Sequence, residues 1–182
     1  MDETAREYAR YLAARHAAGT LTAYEITNFV DSLTDDGVWV DSFLDVMDAD
    51  LKSVEVLSPI FEKCLSELGI RIPTHKQYLW WLICYHLKRI VTEEVAPIEG
   101  VVALKDDTWD DLQLDSPPSS DRRLGVSHDL FHFVSFYYKY DDVQESYWSY
   151  SEAEATAVRT KIKESIKQEA RDWLDKHKQI CN

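Results

Sequence analysis

The sequence predicts an all-α fold, a single-domain bundle of about six to eight helices spanning residues 1–182. Three observations predict it. Capping boxes, which mark helix starts, stand at Thr22–Glu25, Thr74–Gln77 and Ser151–Glu154. Apolar residues recur at three- and four-residue spacing, with no convincing alternation of the kind strands show. Only 5 Gly and 5 Pro interrupt the chain, which suits long helices and few tight turns. With 45% hydrophobic and 12% aromatic residues, the chain can fill a core, and disorder is excluded as its general state.

The first helix is expected from Glu3 to Ala18, with Tyr8, Leu12 and Arg15 on one face and Gly19 as its stop. Thr22-Ala-Tyr-Glu25 opens the second: the Thr hydroxyl accepts from the amide three residues on, and the Glu carboxylate reaches back. That helix carries Ile26, Phe29, Val30 and Leu33 and breaks at Asp35-Asp36-Gly37. A short helix follows, with Val38, Trp39, Phe43, Leu44 and Met47 as its apolar residues. Ser58-Pro59 reads as an N-cap with proline at the first helical position. Ile60, Phe61, Leu65 and Leu68 continue that helix to Gly69.

Thr74-His-Lys-Gln77 opens a helix from Tyr78 to Val91 that is apolar on nearly every face in its first half, the pattern of a central helix. Pro97 and Glu99 sit at the start of the next. Residues 115–121, with Ser116-Pro-Pro-Ser-Ser120, form the clearest loop. Ser127 is placed to cap a helix holding Leu130, Phe131, Val134 and Tyr138. Asp141 to Tyr150 is aromatic enough to read as loop or strand. Ser151-Glu-Ala-Glu154 opens the closing helix, 151–178, with the stripe Ala155, Val158, Ile162, Ile166, Ala170 and Trp173.

Two stretches share an order of features. Tyr11 to His16 leads into Leu21 to Glu25, then Asp35-Asp36 and Trp39. Trp81 to His86 leads into Val95 to Glu99, then Asp106-Asp107 and Trp109. This suggests a duplicated helix-turn-helix unit over residues 4–70 and 74–142. Amphipathic helices also resemble one another without common origin, and two copies are too few for a solenoid.

The net charge is −13, which repels nucleic acid and anionic lipid and attracts basic surfaces. The acid is blocked. His16 to Glu62 holds ten acids and one base, Glu93 to Asp115 holds eight acids and one base, and together these segments carry −16. The residues singled out for partner binding are Asp31, Asp35, Asp36, Asp41 and Asp45 in the first block and Asp106, Asp107, Asp110 and Asp111 in the second. Like charge concentrated on one face destabilises a fold, so it suggests a use. A solvated polar face, with acids favoured near helix starts, is the plainer account.

Catalytic signatures are missing from the sequence. The calcium-loop pattern ending at Gly37 fails, because Ser32 and Thr34 stand where acids are needed. His128 and His132 lie four apart on an expected helix, with Asp129 between them. That spacing can put two imidazoles on one metal, yet Phe131 and Phe133 flank His132 as core residues would. No cofactor is expected. Cys64, Cys84 and Cys181 are odd in number and far apart, which fits reduced thiols in a cytoplasmic protein. There is no basic start followed by an apolar run, so no signal peptide is expected. The densest apolar run, Tyr78 to Tyr85, is too short to span a bilayer. The aromatic run Phe131 to Tyr140, with Tyr147, Trp148 and Tyr150, reads as core plus rim or as a binding surface.

Arg89 to Gly100 through Trp109, followed by Phe133 to Asp142, resembles small uncharacterised acidic bacterial proteins of immunity-protein type. The shared pattern is a helix, Pro-x-Glu-Gly, an acidic turn and a Trp. The resemblance covers about a third of the chain and assigns Pro97, Glu99, Gly100 and Trp109 structural roles: a helix start, its dipole partner and a core anchor. The blocked charge, which such proteins share, points to a binding protein, not an enzyme, that masks a basic protein partner such as a toxin. A helical metal-dependent enzyme at His128 and His132, or a homo-oligomeric structural protein, are the other readings.

Overall fold

A computed structural model describes residues 1–49, 53–114, 128–145 and 150–181. Among the described residues the fold is all-α, with nine helices and no strand. Seven are substantial: α1 (Glu3–Ala18), α2 (Ala23–Asp35), α4 (Val54–Glu67), α5 (Tyr78–Val91), α6 (Pro97–Leu114), α7 (Phe131–Glu145) and α8 (Glu152–Lys176). Two are short: α3 (Ser42–Met47) and α9 (Lys178–Cys181). The chain clusters into two compact units, Met1–Leu82 and Ile83–Asn182, with the boundary inside α5.

In the first unit the cap signals act as read. Thr22 and Glu25 form both halves of their box, and Asp2 caps α1. Helices α1, α2 and α4 end alike, on Gly19, Gly37 and Gly69 at φ 73°, 74° and 70°. At α4 the Gly69 amide donates to the Ser66 carbonyl at 3.0 Å and the Ile70 amide to that of Leu65 at 2.8 Å. This left-handed step closes carbonyls the helix would otherwise leave open. Leu12, Ile26, Phe29, Phe43, Leu57, Phe61 and Leu65 fill one core, where the Phe29 and Phe61 rings meet edge to face at 5.8 Å.

Two expectations are corrected here. Pro59 is not at the start of its helix but inside α4, which begins after Ser53. The buried stripe is Leu57, Phe61, Cys64 and Leu65, and seating Leu57 needs a helical turn before the proline. That turn is made, with the Leu57 amide on the Ser53 carbonyl at 3.0 Å. The short helix α3 starts only at Ser42, so Val38 and Trp39 precede it; its buried residues are Ser42, Phe43 and Val46, while Trp39, Leu44 and Met47 are 49%, 49% and 39% exposed.

Before α5, the Gln77 side chain accepts from the Thr74 amide at 3.3 Å, while the Gln77 amide turns to the Thr74 carbonyl. In the second unit Ile83, Leu87, Ile90, Val101, Leu104, Leu130 and Phe133 are buried with the α8 residues Ile162, Ile166, Ala170 and Trp173. Ser151 and Glu154 form a complete capping box. Pro97 takes the first position of α6, and Gly100 packs so closely on α5 that a Cβ there would overlap the Ile90 side chain. Trp109 is half-buried. Helix α7 continues through Glu145, so the first part of 141–150 is helical, not loop or strand. The expected loop 115–121, the Ser127 cap, Tyr147 and Trp148 lie outside the described residues.

Cys84 and Cys181 are joined by a disulfide, with Cα atoms 5.6 Å apart. The expectation of three reduced thiols is therefore corrected: only Cys64 is free, and it is buried. Its surroundings push that thiol up, chiefly through burial. Among the described residues no helix is long and apolar enough to cross a membrane.

Candidate functional site

The first acidic block surrounds α3. Ser42 is buried, and both its amide and its hydroxyl donate to Glu67 Oε2, at 3.1 and 2.8 Å. These hydrogen bonds hold the Glu67 carboxyl below the usual range and pin α3 to α4. With positions 42, 43 and 46 inward, helical spacing turns 41, 44, 45 and 48 outward. Asp41, Leu44, Asp45 and Asp48 are indeed exposed. Trp39 leans its edge on Phe43, ring centres 6.0 Å apart, leaving half of its surface open.

Asp31, Asp35 and Asp36 are exposed too, along the outer side and C-terminal end of α2. Among the described residues no base lies within ion-pair distance of Asp31, Asp35, Asp36 or Asp41. Asp45 has Lys63 at 2.9 Å, both side chains more than half exposed, a surface pair that water and salt weaken.

The second block is arranged differently. Asp106 is exposed beside Lys105 at 3.6 Å. Asp107 instead turns inward: its Oδ2 meets Nε2 of the buried His86 at 2.8 Å, and its side chain is 14% exposed. It follows the inner face of α6, near the buried Leu104 and Thr108, so it is an internal partner and not a surface acid. Asp110 and Asp111 belong to α6, but their side chains lie outside the described residues.

The two stretches read as copies share their helix starts but not their acid pairs. Asp35 and Asp36 end α2, while Asp106 and Asp107 stand within α6. His16 pairs with Glu62 of α4 at 2.9 Å, and His86 with Asp107.

The His128, Asp129 and His132 cluster does not share a helix. His128 and Asp129 precede α7, and Asp129 takes the left-handed conformation at φ 57°. The Asp129 carboxylate accepts from Lys176 Nζ at 2.7 Å and His177 Nε2 at 3.1 Å. These bonds, that of Lys176 foremost, hold it below the usual carboxylate range. His128 is buried and its carbonyl receives the Trp173 indole, while His132 is exposed. A cleft of about 340 Å³ lies alongside, lined by His132, Glu169, Asp172 and Lys176 among others. Among the described residues no three His, Cys, Asp or Glu side chains are grouped to hold a metal.

Among the described residues the aromatic run mixes buried and exposed rings. Phe133 is buried, Phe136 and Tyr137 are half-buried, and Tyr138 is 50% exposed. Lys105 Nζ stands 5.2 Å above the Tyr137 ring. Sequence reasoning had passed over Lys176 and His177 as partners of Asp129, 47 and 48 positions away; neither local spacing nor composition signals that pairing.

No family model, curated protein or solved structure matches the chain.

Proposed function

We propose that this is an acidic binding protein that masks a basic protein partner, in the manner of an immunity protein or antitoxin acting on a toxin, and that it is not an enzyme. One observation carries the reading: Asp31, Asp35, Asp36 and Asp41 stand exposed, with no base among the described residues within ion-pair distance, around a helix fixed to its unit by Ser42 and Glu67. Carboxylates that are hydrated and unpaired can exchange water for lysine or arginine on a partner. Association driven this way is fast and falls steeply with ionic strength.

The first-block acids Asp31, Asp35, Asp36, Asp41 and Asp45, with Asp106 in the second, remain the proposed contacts; Asp107 is withdrawn because His86 occupies it. The cytoplasmic placement loses the support it drew from reduced thiols, because a disulfide fits an oxidising compartment. Charge masking works alike in either place.

The test is titration against a panel of basic nuclease-fold proteins at low and high salt. Binding should weaken at least about tenfold in the triple variant Asp35→Lys, Asp36→Lys, Asp41→Lys, with helix content unchanged. A panel that yields no binding, or binding that ignores both salt and charge reversal, refutes the proposal.

A further inference from the structure

We propose that α3 and the turn entering it form the contact epitope, and that the partner meets it with an amphipathic basic segment: apolar side chains ringed by lysine or arginine. This rests on the reading that the protein binds a basic partner, and it specifies which surface does so and what chemistry it meets.

The argument begins with what α3 exposes. Trp39 and Leu44 are each 49% exposed and Met47 39%, within nine consecutive residues that also present Asp41 and Asp45. Exposed apolar residues singly need no explanation. Here they are concentrated on one six-residue helix and its lead-in, and acids stand between them. A uniformly basic partner would satisfy the acids but leave the Trp39 and Leu44 surfaces wet. An apolar centre with a charged rim matches both, and it is the anatomy of interfaces in which a few desolvated side chains dominate.

The anchoring favours the same conclusion. Phe43 and Val46 are 0% and 1% exposed, and Ser42 bonds twice to Glu67. The outward face of α3 is therefore held before any partner arrives, which lowers the entropy cost of binding. Charge selects the occupant. A second copy docking through the same face would bring two acid-bearing faces together, a like-charge contact that disfavours self-association. An anionic lipid surface is repelled for the same reason.

The test uses the full chain and two synthetic peptides of equal positive charge, one an amphipathic helix of leucine and lysine, the other of glycine and lysine. Affinity is measured by titration at two salt concentrations, alongside mass in solution. The leucine–lysine peptide should bind at least about tenfold tighter, with Trp39→Ser and Leu44→Ser each weakening it several-fold while helix content stays unchanged. If one variant loses helix content, the other decides.

Equal binding of both peptides overturns this inference and leaves the charge-masking proposal standing. Tight leucine–lysine binding that neither variant alters places the epitope elsewhere and also overturns it. A dimer dispersed by Trp39→Ser makes a second copy the occupant, against the inference. Failure of both peptides to bind counts against both proposals.

Discussion

The indole Nε1–H of Trp173 donates to the carbonyl oxygen of His128 at 2.9 Å, tying the residues before α7 to the C-terminal half of α8. Both residues are buried, at 3% and 4% exposure. Trp173→Phe keeps most of the packing and removes the donor. It should destabilise the second unit by about 1–3 kcal/mol, the cost of leaving a buried acceptor unmatched. Denaturant unfolding of the two proteins measures the difference.

Asp129 adds a charge to the same junction, and its dependence on pH has a definite sign. Lys176 and His177 depress its folded pKa below the unfolded value, which is about 3.9. Its contribution is therefore present above the unfolded pKa and is lost as pH falls through the folded one. The Asp129→Asn variant should be less stable than wild type near neutrality, and the gap should close below about pH 4. Asparagine tolerates the φ of 57°, so the charge is removed without a backbone penalty. Asp129→Val removes the same charge and adds backbone strain, so it should be less stable than Asp129→Asn by about 1–3 kcal/mol at every pH.

Gly100 lies in the interior of α6, where helix propensity alone favours alanine by about 1 kcal/mol. The structure reverses the sign, because the added methyl would overlap Ile90, a residue with 0% exposure. Gly100→Ala should destabilise by about 1–3 kcal/mol. Cutting the obstacle back with Ile90→Ala, which removes both Cγ1 and Cδ1, should recover part of that loss in the double variant, so the two changes will not add. Thermal melts of the four proteins read this cycle.

The disulfide predicts a thiol count. Denatured without reductant, the chain should react with one equivalent of alkylating agent, at Cys64, and after reduction with three. Cys84→Ser should lower stability by about 2–4 kcal/mol, the typical contribution of a disulfide. One free thiol in denaturant is the decisive reading; three would rule the bond out.

What could be read from the sequence was what neighbouring residues decide. Thr22 with Glu25 and Ser151 with Glu154 are three residues apart, and each box formed. The glycine stops at 19, 37 and 69 need only a local left-handed step. Ser58-Pro59 misled because it makes a good start in isolation, whereas burial of Leu57 moved the start to Val54. Six residues of α3 hold fewer than two turns, too few to fix the phase of an apolar stripe, so which of its apolar residues face inward could not be read. For the candidate site, the acid blocks were visible as composition. That Asp107 faces His86 while Asp106 faces water depends on how α6 is rotated in its unit, which sequence spacing alone left open. The Cys84–Cys181 and Asp129–Lys176 pairings span 97 and 47 positions and exist only once the chain has folded.

The bond between Cys84 and Cys181 also gives the chain a mechanical property. Pulled from points on either side of the bond, an unfolding molecule could not lengthen between Cys84 and Cys181. The intervening 97-residue separation is short-circuited, hiding roughly 330 Å of extensible contour from the load. A reductant would release that slack, so the same chain would behave as a short tether in one redox setting and a long one in another.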